Sequence, residues 1–194
     1  MKKLMMVAAL VAGLMTTACA STFEVAELDS TTMRFAGAEQ LAPTDIKVAK
    51  DFDIDKASQI LFLRTNIDTE AQYTAYFKDS IDKFKYFDNV MRKDEFERYL
   101  IQKGLQDQIG DVSGFSSLSK AAGVMGDFLF ADIALSAGAG YQVKAIFTVY
   151  NARDAQELYK VERQVTNWSG LDQPLFMPIL NGFFDWIAKN SEKK

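Results

Sequence analysis

Residues 127–167, DFLFADIALSAGAGYQVKAIFTVYNARDAQELYKVERQVTN, decide the fold. At the start of the stretch, Leu129, Ala131, Ile133 and Leu135 fall on one face of an extended chain, with Phe128 and Phe130 on the other. Ala137-Gly138-Ala139-Gly140 supplies a flexible turn, and residues 141–151 repeat the period-two pattern through Val143, Ala145, Phe147 and Val149. Asn151-Ala152-Arg153-Asp154 then turns the chain into residues 157–167. There Tyr159, Val161 and Val165 alternate with Leu158, Lys160, Glu162 and Gln164. Three strands joined by tight turns make an antiparallel meander. The half-polar third strand is expected to face solvent on one side.

Upstream, the pattern changes to helices. Residues 116–125 carry Leu118, Ala121, Ala122 and Met125 at helical spacing, and residues 93–103 place Phe96 and Leu100 on one side before Gly104 stops the helix. Residues 86–91 read as a short strand. A further helix is expected to open at Asp68-Thr69-Glu70 and to bury Tyr73, Phe77, Ile81 and Phe84. It follows Gln59-Ile60-Leu61-Phe62-Leu63-Arg64-Thr65-Asn66-Ile67, whose unbroken apolar run suits a strand covered on both faces. Downstream, Asp172-Gln173-Pro174 opens a closing helix with the stripe Phe176, Ile179, Leu180, Phe183 and Ile187, and Pro178 sets its regular start back by a turn. The expected class is α/β (α+β), over residues 58–191. It is a single mixed sheet with two helical crossovers, a C-terminal antiparallel strand meander and a closing C-terminal helix. Residues 19–57 read as a tether or a partly packed segment, with 23–28 and 46–49 as candidate edge strands.

Residues 1–18 have a different character. Lys2-Lys3 precedes an uncharged run from Leu4 to Met15, and Thr16-Thr17-Ala18 leads to Cys19, the chain's single cysteine. A charged start, an apolar run and small residues at the end make a secretory signal peptide. Small residues directly before a cysteine resemble the lipobox of bacterial lipoproteins. That resemblance implies cleavage between Ala18 and Cys19 and acylation of the Cys19 thiol. Thr16 stands where that family usually has Leu, Val or Ile. The triplet Ala18-Cys19-Ala20 also fits ordinary signal peptidase, which would cut between Ala20 and Ser21 and leave a soluble periplasmic chain. Ala20 follows the cysteine where Asp would resemble the inner-membrane retention signal, so the expected location is the outer membrane, facing the periplasm.

Composition narrows the function. Loss of Lys2 and Lys3 takes the formal charge from −4 to −6, because the leader carries no acid. An acidic chain without basic clusters argues against nucleic acid and against electrostatic adhesion to anionic lipid. Beyond the leader, no apolar run reaches the roughly 20 residues needed to span a bilayer, so membrane attachment is expected through lipid alone. The chain contains no histidine, which removes the Ser-His-Asp triad, the Cys-His pair and histidine metal sites. Carboxylates, lysines and tyrosines remain, which suit glycoside hydrolysis or oxygen-ligand metal chemistry. A non-enzymatic protein without a cofactor is expected, with a soluble periplasmic module binding a small ligand or a carbohydrate as the alternative.

The order of elements resembles a group of bacterial envelope lipoproteins that share the TolB amino-terminal-like fold, a group including the curli secretion lipoprotein and lipoprotein activators of penicillin-binding proteins. The likeness rests on the lipobox, the strand 60–67, the run Ala121-Ala122-Gly123-Val124-Met125-Gly126-Asp127-Phe128-Leu129 and the turn Tyr150-Asn151-Ala152-Arg153-Asp154-Ala155. It covers roughly residues 58–190. It implies a binding or assembly module whose partner is an envelope protein or a peptidoglycan-associated component. The curli channel's long membrane-inserting strands have no counterpart here, so the resemblance does not extend to pore formation.

Four other features invite chemistry. Asp51, Asp53 and Asp55 have the spacing of a calcium loop, but Lys56 replaces its glycine and Phe62 its closing glutamate, so no metal site is expected. Asp127 and Asp132 flank or interrupt an apolar strand; the plain reading makes Asp127 a strand-start residue and puts Asp132 near an open edge. Gly138-Ala139-Gly140 lies between strands without a following helix, so it reads as a hairpin and not a phosphate loop. Asn167-Trp168-Ser169 matches a glycosylation acceptor pattern of little weight in a bacterial lipoprotein. Finally, Phe176, Phe183, Phe184 and Trp186 cannot share one narrow stripe. Core packing is the default, with Phe184 and Trp186 the candidates for a partner contact.

Overall fold

The structure, a computed structural model, describes residues 25–66, 72–167 and 170–192. Its strands are β1 (Ile46–Ala49), β2 (Ile60–Thr65), β3 (Asn89–Met91), β4 (Leu129–Ala137), β5 (Gln142–Asn151) and β6 (Glu157–Thr166). Its helices are α1 (Gln72–Phe84), α2 (Lys93–Gln102), α3 (Gln106–Ile109), α4 (Phe115–Met125) and α5 (Met177–Asn190). The six strands form one mixed sheet in the order β1-β6-β5-β4-β2-β3. β2 pairs in parallel with β3 and β4, while β4, β5 and β6 form the antiparallel meander.

The crossovers explain the layers. The connection through α1 leaves β2 toward β3, and the connection through α2, α3 and α4 returns across β2 to β4. Alternation along β2 and β4 then sorts the core. Leu61, Leu63, Leu129, Ala131 and Ile133 face α1 and α5. Ile60, Phe62, Phe128 and Phe130 face α2, α3 and α4. A strand flanked by helices on both faces must be apolar on both, which is why β2 reads as a continuous run.

Several expectations shift at their edges. The strand expected at 86–91 shrinks to β3, because Lys85 takes a left-handed φ of 55° and Tyr86 and Phe87 turn edge-on to each other instead of pairing. The helix expected from Asp68 is described from Gln72; residues 67–71 lie outside the described residues. The closing helix begins with a π-helical turn, Asp172–Phe176, before α5, and Pro178 occupies the first turn of the α-helix. Residues 25–28 form no strand and contribute one antiparallel bridge, Leu28 with Phe35; Phe23 lies outside the described residues.

The boundary expected at 58 moves toward the N-terminus. β1 adds to β6 as an edge strand, and Phe35, Ile54 and Ala57 are in the core. The segment looked weak because β1 has only four residues, none fully buried. Much of its attachment is polar and specific. The Phe35 amide donates to Asn181 Oδ1 at 2.8 Å, and Asn181 Nδ2 donates to the Phe35 carbonyl at 3.2 Å. Trp186 Nε1 donates to the Lys50 carbonyl, the Phe52 amide to Asn190 Oδ1, and Lys189 pairs with Asp51. Residues 28–57 are thus a strap across α5.

That strap corrects the partner reading of Phe184 and Trp186. Phe184 is 2% exposed and stacks on Phe84 with ring centroids 4.3 Å apart. Trp186 is 4% exposed and stacks on Tyr159. The sheet covers one side of α5 and the strap another, so a wide aromatic arc is buried and neither residue offers an edge to a partner.

Candidate functional site

β2 ends between two parallel neighbours whose crossovers leave in opposite directions, the arrangement that opens a crevice beyond the carboxyl ends of strands in α/β sheets. Here the crevice has a volume of about 680 Å³, within the usual range of small-ligand sites. Phe62, Leu63 and Val112 form its apolar floor, each at most 1% exposed. Arg64 projects from the end of β2, Arg92 and Lys93 from the start of α2, and Thr74 from the first turns of α1. Ser113, from the loop before α4, closes the rim.

The cations differ in their engagement. Arg64 forms a fork on Asp132, Nε to Oδ1 at 3.0 Å and Nη2 to Oδ2 at 3.1 Å, and donates Nη1 to the Ser113 carbonyl. It also lies over the Phe130 ring, 4.8 Å from the centroid. Lys93 donates to Ser113 Oγ and pairs with Asp111 at 3.2 Å. The Lys93 and Ser113 contacts hold the Asp111 carboxyl below its ordinary value, the Ser113 hydrogen bond contributing most. The Arg92 guanidinium makes no hydrogen bond among the described residues, and its Nε is buried. Its closest carboxylate oxygens, on Asp94 and Glu95, are 3.7 and 3.8 Å away, beyond hydrogen-bonding distance.

The sequence-derived candidates lie elsewhere or serve the fold. Asp132 sits on β4, in the interior of the sheet and not near an open edge, and Asp127 pairs with Arg153. Neither has a second carboxylate arranged for acid–base work, and both are neutralised by an arginine. Asp51, Asp53 and Asp55 diverge: the first pairs with Lys189 and the second with Lys56, while the third accepts from Tyr86, Ser191 and the Glu192 amide. Gly138 to Gly140 form the β4–β5 hairpin turn, closed by the Gly138 amide on the Gln142 carbonyl at 2.7 Å. Ala18, Cys19, Ala20 and Ser21 lie outside the described residues, as do Trp168 and Ser169 of the acceptor pattern. Sequence reading passed over the crevice arginines. The available signal was a basic residue at the end of each of two apolar strands, Arg64 and Arg92, which only the parallel pairing of β2 and β3 brings together.

The crevice and the point where residues 25–28 leave the domain lie at opposite ends of α1. α1 begins beside the crevice at Thr74 and ends at Lys83, which pairs with Glu27. Nine residues at ~1.5 Å each separate those points by about 13 Å. α5 runs alongside in the same direction, since Phe176, just before it, meets Tyr73 and Phe77 while Phe184 meets Phe84. Residues 25–28 therefore leave the domain at the end away from the crevice.

No family model matches the chain, and no curated protein matches it in sequence. Among solved structures it is similar to lipoprotein GNA1162 from Neisseria meningitidis, at 14% identity over 68% of this chain and 94% of that one, with a TM-score of 0.37. It is also similar to the LpoB C-terminal domain from Escherichia coli, at 12% identity over 58% and 85% with a TM-score of 0.39. The PelC dodecamer from Paraburkholderia phytofirmans gives 8% identity over 66% and 86% with a TM-score of 0.35. These neighbours include bacterial lipoproteins; at such scores the likeness carries no functional argument.

Proposed function

We propose that the protein is a lipid-anchored lipoprotein of the outer membrane, facing the periplasm, that binds or helps assemble another envelope component without catalysing a reaction. The observation that carries this reading is the leader ending in Thr16-Thr17-Ala18-Cys19. Cys19 takes the lipid after cleavage from Ala18, and the sheet domain presents the recognition surface. The chain makes six steps from Cys19 to Val25, which at ~3.6 Å each reach about 22 Å at most. A strap fastened to α5 leaves little further slack, so the domain rides close to the bilayer. The pole where residues 25–28 leave it is turned to the lipid, and the crevice is turned away. The partner is an envelope protein or a peptidoglycan-associated component.

Metabolic labelling with an alkyne-bearing palmitate analogue tests the anchor. The wild-type protein is expected to take up label and Cys19→Ala to take up none; an unlabelled wild-type protein overturns the anchor. The crevice favours a second reading, a soluble periplasmic ligand-binding module, which would follow cleavage between Ala20 and Ser21.

A further inference from the structure

We infer that the tip of the β4–β5 hairpin is where this domain docks on a partner protein, with Tyr141 as the residue that inserts. The backbone gives the first reason. The turn is closed by the Gln142 amide on the Ala139 carbonyl at 3.4 Å, and its two central residues, Gly140 and Tyr141, have φ of 65° and 60°. Left-handed φ at both positions matches the twist of the flanking strands and suits glycine, asparagine or aspartate. A bulky side chain there is strained against its own backbone. The Tyr141 residue is nevertheless 72% exposed, so burial of the ring does little to offset that strain.

Position and composition give the second. β4 pairs with β2 as far as Ile133 opposite Thr65, then continues four residues to Ala137, about 13 Å at ~3.3 Å each. β2 and β4 are parallel, so this projection lies at the crevice end of the sheet, away from where residues 25–28 leave it. Residues 136–142 are exposed without a break and carry no charge, in a chain that is 25% charged. The adjoining end of β6 adds Gln164 and Thr166, also exposed and uncharged. Protein interfaces are depleted of charge at their centres and enriched in tyrosine, and a tyrosine among serine, glycine and small polar residues is the make-up of antibody contact loops. The partner that fits is a protein with an uncharged hollow for one aromatic ring. The inference rests on the proposed role of binding another envelope component, and not on acylation of Cys19.

The test is photo-crosslinking of the full chain in intact cells, with benzoylphenylalanine placed at Ala139 and, as controls, at the exposed Thr31 and Asp107. Position 139 is expected to give a protein adduct of one defined mass. Tyr141→Gly relaxes the turn and removes the ring, so it should raise the urea midpoint while cutting that adduct at least about tenfold. Tyr141→Asn, which also tolerates the left-handed φ, should do the same. Any adducts at the control positions should be unchanged by either variant. A Tyr141→Gly protein less stable than the wild type would mean that the ring serves the fold, and overturns the inference. So does an adduct at position 139 that survives loss of the ring, or one with twice the mass of the chain, which would be a second copy. Adducts at a control position but none at 139 sink the hairpin contact and leave the proposed function standing; adducts at none of the three sink both.

Discussion

Gly182 lies on α5 where an added Cβ would sit 2.7 Å from the Tyr159 hydroxyl and 2.7 Å from Leu41 Cδ2. Leu41 can move, but the Tyr159 ring is buried and cannot. Alanine in a helix interior normally gains up to ~1 kcal/mol over glycine, and overpacking a rigid core costs ~1–3 kcal/mol. The steric cost wins here, so Gly182→Ala should lower stability by about 1 kcal/mol or more in urea denaturation. Asp172 behaves differently from the acids in ion pairs. Burial raises its carboxyl above the ordinary 3.8, so the folded state holds this proton more tightly than the unfolded chain. Its contribution therefore favours folding increasingly as pH falls from neutral through the raised value, and is fully present below 3.8. Asp172→Asn removes the neutral-pH penalty while still offering an oxygen to Tyr76. Its stability gain at pH 7 should shrink as the pH is lowered, which denaturant titrations at two pH values would show.

At the scale of elements, the closing helix is held by polar groups as much as by its aromatic face. Asn181→Ala removes both hydrogen bonds to Phe35, at a cost of ~1–3 kcal/mol, and hydrogen exchange should quicken at the Phe35 amide before it quickens in β4. Trp186→Ala removes a buried ring stacked 5.4 Å from Tyr159. It should cost ~3–5 kcal/mol, a loss of folding stability and not of partner binding alone. The meander was legible in the sequence because period-two alternation runs from Leu129 to Leu135 and again from Val143 to Val149, and hairpin turns need no distant information. α5 was legible as an element, yet the fate of Phe184 and Trp186 was not. Their burial depends on residues 28–57 crossing back over the helix, and side-chain amides paired to a distant backbone leave no periodic trace. The crevice was hidden for a related reason: Arg64 and Arg92 are neighbours only through the parallel register of β2 with β3.

For the whole molecule, the crevice and the chain exit lie at opposite poles of the domain. An acidic chain without basic clusters offers little electrostatic adhesion to anionic lipid, so a covalent anchor is what would hold this domain at a membrane. The claim is tested most directly by the intact mass of the mature protein extracted in detergent from its own envelope. The account predicts a polypeptide beginning at Cys19 and carrying three acyl chains. A mass beginning at Ser21 without lipid would contradict it, and would make the protein a freely diffusing periplasmic domain whose crevice carries its function.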